Sequence, residues 1–234
     1  MKKFPPVVLA SLILLANIVN PAQAQERVLT IHDVSPELGS LIAGTPLDFV
    51  AKEDIRYGSS GVSEYDDFYK NSAVAYGGMV VGQGLADDAT MTLKGYARSK
   101  VAVAELEDEI AEITEGADPD DWTTEQSLAV LQAAEAKDQI SAEERSYMVQ
   151  TLAYVAATIP VVEAAVSSSV ELTQQAPGLV GNARAAFGLR RAAGAARNVN
   201  RSAGQIESIP TEGPALVESL VVLSRGLAFV AGGQ

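Results

Sequence analysis

The chain has a single histidine, His32, followed directly by Asp33, so this is its one chance of pairing an imidazole base with an adjacent carboxylate. Such a pair performs general-base catalysis when a nucleophile and an oxyanion site stand beside it. Nothing in the sequence places either of them there, and a lone histidine in a proline-containing arm reads as surface or core filler. There is no cysteine. Thiol nucleophiles and thiolate metal sites are therefore closed to the chain, and one imidazole cannot build a multi-histidine metal site. No glycine-rich phosphate loop, G-x-S-x-G elbow or Walker-type motif is present. Paired carboxylates remain as a catalytic option, as in glycan cleavage. Against that option, Trp122 and a few tyrosines are all that could hold a sugar. The expectation is a protein that is not an enzyme, with no catalytic residue, no cofactor and no metal.

Two acidic stretches offer carboxylates of the kind that bind calcium. Asp118-Pro119-Asp120-Asp121 lacks the spacing and the glycine of an EF-hand loop. Asp138 through Glu144 resembles the end of such a loop, but its first position falls on Ala133, which has no ligand oxygen. Both read better as helix starts, where carboxylates satisfy free amides.

Charge is unevenly spread. Residues 105–144 hold fourteen acids and one base, Lys137, whereas residues 182–206 hold five arginines and no acid. On a helix, Arg190, Arg197 and Arg201 fall together, Arg184 and Arg191 lie on the adjoining strip, and an Ala/Leu/Val face lies opposite. These five form the candidate binding surface. It would suit an anionic partner such as phospholipid or lipopolysaccharide headgroups. The plainer reading, which the sequence favours, pairs the arginines with the acidic helices of the same bundle or with solvent.

The elements that must carry these residues follow from apolar spacing. Residues 1–24 form a secretory signal peptide: Lys2 and Lys3, a largely apolar run from Val7 to Val19, and small residues before an expected cut between Ala24 and Gln25. No cysteine follows the cut, so no thioether lipid anchor is expected. Removing the leader leaves 210 residues and takes the net charge from −13 to −15. A chain so acidic repels nucleic acid overall. Residues 25–62 read as an irregular N-terminal arm, with short extended elements at Val28–Ile31 and Asp48–Ile55.

The pattern turns helical at 63–234. Ser63 is a candidate cap. Leu85, Ala89, Thr92, Tyr96, Ser99, Val103, Leu106, Ile110 and Ile113 predict one long helix, which Gly82 and Gly84 could bend or break. Thr123 with Gln126, and Ser141 with Glu144, read as capping boxes. Met148, Leu152, Val155, Ile159, Val162 and Val166 predict a helix kinked at Pro160 and ended by Pro177-Gly178. A further helix is expected from Asn182, with Leu189, Ala192, Ala196, Val199, Ala203 and Ile206 on its buried face. Pro214 fits the first position of a last helix, whose face is Leu216, Leu220, Leu223, Leu227 and Val230.

The expected architecture is all-α: an elongated antiparallel bundle of four to six helices behind the arm. The expected function is that of an exported, non-enzymatic binding or structural protein of the bacterial envelope, periplasmic or extracellular, whose helix faces bind a protein or an apolar ligand. The alternative is a membrane-active helical protein, pore-forming or peripheral. Gly78-Met79-Val80-Val81-Gly82 offers that alternative a G-x-x-x-G spacing. The same spacing serves close packing in soluble bundles.

Overall fold

The computed structural model describes residues 27–43 and 55–232. The leader, its cleavage site and most of the element expected at 48–55 lie outside the described residues. In chain order the elements are β1 (Arg27–Leu29), α1 (Ile31–Val34), α2 (Pro36–Ile42), β2 (Ile55–Tyr57), α3 (Ser63–Ser99), α4 (Glu107–Thr114), α5 (Thr124–Ala136), α6 (Ala142–Ile206) and α7 (Ile209–Gly232). The fold is all-α, with its long helices packed together.

The segment before Ser63, expected to be irregular, contains regular structure. β1 pairs antiparallel with β2, Leu29 opposite Ile55. Between them Ser35-Pro36 starts a helix. The Ser35 hydroxyl accepts from the Leu38 amide at 3.2 Å, and Pro36 takes the first helical position, where its missing N–H costs nothing. Leu38 and Ile42 are then buried against Val81 and Leu85 of α3.

At the start of α3, Ser63 is the first helical residue and not the cap. Asp66, inside the first turn, instead ties down the loop that leads into the helix. Its carboxylate accepts from the Ser60 amide, the Gly61 amide at 3.2 Å and the Ser59 hydroxyl at 2.9 Å. Burial by itself would raise the Asp66 pKa, but these donors outweigh it and hold the carboxyl below its ordinary range.

The helix predicted to run from Leu85 to Ile113 is interrupted. α3 ends at Ser99, and two 3-10 turns, Lys100–Ala102 and Ala104–Leu106, lead into α4. The interruption accompanies a turn inward by Lys100, whose ammonium donates to the Gln139 carbonyl at 2.9 Å and to Glu144 at 2.7 Å. Leu106 and Ile110 remain buried, so the apolar spacing located the core correctly while missing the break. Gly82 and Gly84 do not break α3.

Both capping boxes form. Thr123 and Gln126 open α5, and Ser141 and Glu144 open α6. Beyond Ser141, α6 holds Pro160 within it and continues past Pro177-Gly178, where an end was expected. Both prolines are exposed, and so are Ala156 and Thr173, whose carbonyls lose their helical donors. Those carbonyls face water, which supplies the hydrogen bonds that the prolines cannot. Gly188 alone departs from helical torsions within α6, with φ 69° and ψ 171°.

That one residue reverses the chain. The Tyr65 hydroxyl donates to the Leu179 carbonyl at 2.6 Å, and the Tyr69 hydroxyl donates to the Ala195 carbonyl at 3.3 Å. A straight helix would put residues 179 and 195 about 24 Å apart. Two tyrosines one turn apart can hold both only if residues 189–206 fold back beside 142–187. After an interruption at Glu207-Ser208, α7 continues in the same direction, and the Val230 carbonyl near its end accepts from Arg145 at 3.1 Å. The bundle is therefore three rods: α3, the descending part of α6, and an ascending rod made of 189–206 plus α7.

Small residues let these rods touch. A Cβ on Gly82 would sit 2.4 Å from Val162, one on Gly78 3.1 Å from Ala165, and one on Gly213 2.2 Å from Val166. The G-x-x-x-G spacing is thus used inside the fold. At this crossing the helices are in contact, so an apolar ligand has no room between them there.

The two tyrosines make the reversal pH-sensitive. Burial pushes the Tyr69 phenol up to about 12, with smaller contributions from Tyr65 and Asp66, and burial also raises Tyr65. An ionised phenol cannot donate to a carbonyl. The stability tied to Tyr69 is complete below pH ~10, the ordinary tyrosine value, and is lost as pH rises through the folded value. Alkaline titration followed at 295 nm and by circular dichroism is expected to show the Tyr65 and Tyr69 part of the ionisation lagging until helix is lost. Full ionisation at pH ~10 with helix intact would contradict this.

Candidate functional site: an arginine surface at one end of the bundle

Helix formers surround the candidate arginines. Residues 189–206 are rich in Ala and Arg, and Ala195, Val199 and Ile206 are buried on the face turned to the bundle. Arg190, Arg197 and Arg201 lie on the opposite face and are exposed, with Arg191 beside them. Arg184 is exposed too, but the reversal at Gly188 puts it on the descending part of α6, across the hairpin from the others. The sequence assigned it to the adjoining strip on the premise of an uninterrupted helix. Leu189, expected on the buried face, is 73% exposed at the turn itself. Its neighbour Phe187 instead packs edge-on against Tyr65, ring centroids 4.7 Å apart.

Among the described residues, none of these five arginines makes an ion pair. Four acids of the 105–144 cluster pair locally: Asp120 with Arg98 at 3.0 Å, and Glu144 with Lys100, Glu109 with Lys137 and Glu135 with Arg145, each at 2.7 Å. The fold explains this. Tyr65 marks the arginine end of α3, and Lys100 follows its acidic end. The 35 residues between them span about 50 Å. That distance is several times the ~8–10 Å over which exposed charges act in physiological salt. Glu64 and Asp67 stand at the arginine end, on the first turn of α3, outside ion-pair distance of these guanidinium groups. Arg197 has one contact within its own helix, from Nε to the Ala193 carbonyl at 3.2 Å. The other guanidinium forks are presented to solvent, in a geometry that matches carboxylate or phosphate oxygens.

The remaining candidates have structural partners. His32 lies against Gly39, where an added Cβ would come within 2.7 Å of its Nδ1. Asp33 does not orient His32: its carboxylate accepts from the Thr30 amide and the Thr30 hydroxyl, both at 2.7 Å. These two bonds, the amide first, hold the Asp33 carboxyl below its ordinary range. In the acidic loop, Asp118 accepts from the Asp120 amide at 2.9 Å, and Arg98 donates to the carbonyls of Pro119 and Asp120. Among the described residues no group of three or more His, Asp or Glu side chains is arranged to hold a metal ion.

Fold and surface together define a helical bundle whose distinguishing chemistry is an exposed run of unpaired arginines. No protein-family model, no curated protein and no solved structure matches this chain.

Proposed function

We propose that this chain is an exported, non-enzymatic binding or structural protein of the bacterial envelope, which recognises an anionic partner through the arginines around the turn at Gly188. The observation that carries the reading is that Arg184, Arg190, Arg191, Arg197 and Arg201 are all exposed and lack a carboxylate partner among the described residues. Five desolvatable forks on one end favour an acidic protein surface over an apolar ligand, since the crossing of α3, α6 and α7 is filled by side chains packed onto Gly78, Gly82 and Gly213. The test uses the full chain, leader included, with a photo-crosslinking residue at exposed position 198, expressed in its native host. One dominant adduct is expected, and charge reversal of Arg190, Arg197 and Arg201 to Glu is expected to reduce it at least about tenfold, because each reversed contact costs on the order of 1 kcal/mol or more. An unchanged adduct pattern would remove the arginines from the reading.

A membrane-active role has its own supporting observation. The helical stretch Ala142–Gly232 contains an 18-residue window long and apolar enough to cross a bilayer, and only 28% of that window is buried. Phe229 on α7 is 46% exposed. Vesicles of phosphatidylglycerol and phosphatidylcholine separate the two readings. Dye release from the anionic vesicles that the arginine reversals abolish supports membrane activity, and intact vesicles at micromolar protein exclude it.

A further inference from the structure

We infer that this chain exchanges residues 189–232 with a second copy of itself by straightening at Gly188, giving a two-fold symmetric dimer of bundles joined end to end. The hinge is a single residue. Gly188 alone within the 65 residues of α6 departs from helical torsions, and good helix formers flank it on both sides. Its φ of 69° and ψ of 171° belong to a region that only glycine enters freely, yet glycine enters the helical region as well. The closed hairpin therefore competes with a continuous helix favoured by local propensity. A connection this short is the setting in which segment exchange costs least, because the same contacts are remade in the partner.

The geometry closes. In the closed chain, residues 189–206 ascend beside α3, as the Tyr69–Ala195 bond shows. After straightening they continue downward, away from their own bundle. A second copy, inverted about a two-fold axis at the turn, presents its vacated groove in that same direction. Its Tyr65, Tyr69 and Phe187 would receive the incoming helix, with α7 following into the groove beside Gly78 and Gly82. The exchange also accounts for Leu189, whose 73% exposure belongs to the tight turn alone. Arg184, Arg190 and Arg191 of both copies would meet at the junction, so like-charge repulsion restrains exchange and raised salt relieves it.

Gly188→Ala isolates the torsional effect, because a Cβ at this position meets nothing within 4 Å. At ~100 µM the variant is expected to elute as a dimer of unchanged helicity, and a four-residue Gly-Ser insertion after Gly188 is expected to be monomeric. The absence of cysteine permits clean spin labelling at exposed positions 174 and 198. Doubly labelled chains diluted into unlabelled protein should show an intrachain distance of about 36 Å in the dimer, the length of 24 helical residues. The monomer should show less than about 20 Å, set by adjacent helices roughly 8–10 Å apart. A folded, monomeric Gly188→Ala protein overturns the inference, as does a dimer that keeps the short distance. Should that variant not fold, wild-type protein refolded at high concentration serves instead. A dimer with the long distance supports exchange, and its absence excludes it.

Discussion

Lys100→Ala is expected to lower the free energy of unfolding by about 3–5 kcal/mol, measured by urea titration of circular dichroism. Lys100 is only 6% exposed, and its ammonium joins three parts of the fold. It closes the end of α3, opens the following 3-10 turn, and donates to the Gln139 carbonyl before α6 and to Glu144 within the α6 cap. Removing it strands the Glu144 carboxylate, which is mostly buried. Two further measurements separate charge from packing. Lys100→Met keeps the stem and loses the charge, so it should remain strongly destabilised. Adding Glu144→Gln should then recover part of the loss, because no uncompensated charge is left. The pH dependence has a definite sign. Burial would raise the Glu144 pKa, but the Lys100 bond and the Ser141 amide overcome it and hold the group below its ordinary value. Its contribution is present above the unfolded-state pKa and disappears as pH falls through the folded one. The Lys100→Met protein should lose this acid-range dependence. A cost under about 1 kcal/mol would place the pair among ordinary surface ion pairs.

Trp122→Ala is the second large expected effect, again about 3–5 kcal/mol. The indole is 1% exposed and shares the main core with Leu106, Ile110, Leu128 and Leu131. Its Nε1 donates to the Ala117 carbonyl at 3.1 Å, closing the acidic loop between α4 and α5. Replacement by Phe retains part of the apolar contact but loses that bond and some buried volume, so a smaller cost of about 2 kcal/mol is expected. As the chain has one tryptophan, its fluorescence reports this site alone. Emission should be blue-shifted in the native protein and move red in the same transition that removes helix. A red-shifted native spectrum would show the loop to be open to water.

These two sites secure the acidic end, where α4, α5 and the cap of α6 meet α3. The opposite end is built differently. There the chain turns on one glycine, tyrosine hydroxyls bridge to backbone carbonyls, and the arginines stand without counter-ions. The acids are concentrated at the first end, some 50 Å from the arginines, and the cations at the second are left without ion pairs among the described residues. This asymmetry makes the arginine end the better candidate for a partner.

Periodicity made the helices legible because burial of one face every three or four residues is a property of the chain's own order. Met148, Val155 and Val162 on α6, and Leu220, Leu223, Leu227 and Val230 on α7, are buried as their spacing required. The boxes at Thr123 and Ser141 were equally readable, since both partners of each lie within four residues. Where helices stop depended on contacts between distant residues. Lys100 ends α3 beside partners 39 and 44 positions away, and Gly188 is committed to a reversal by hydroxyls 114 and 126 positions removed from the carbonyls they reach. The sequence identified the five arginines as a group, and it favoured their neutralisation by the acidic helices or by solvent. Tertiary structure removed the first of these choices, because a rod some 50 Å long keeps the two charge clusters beyond each other's screening distance.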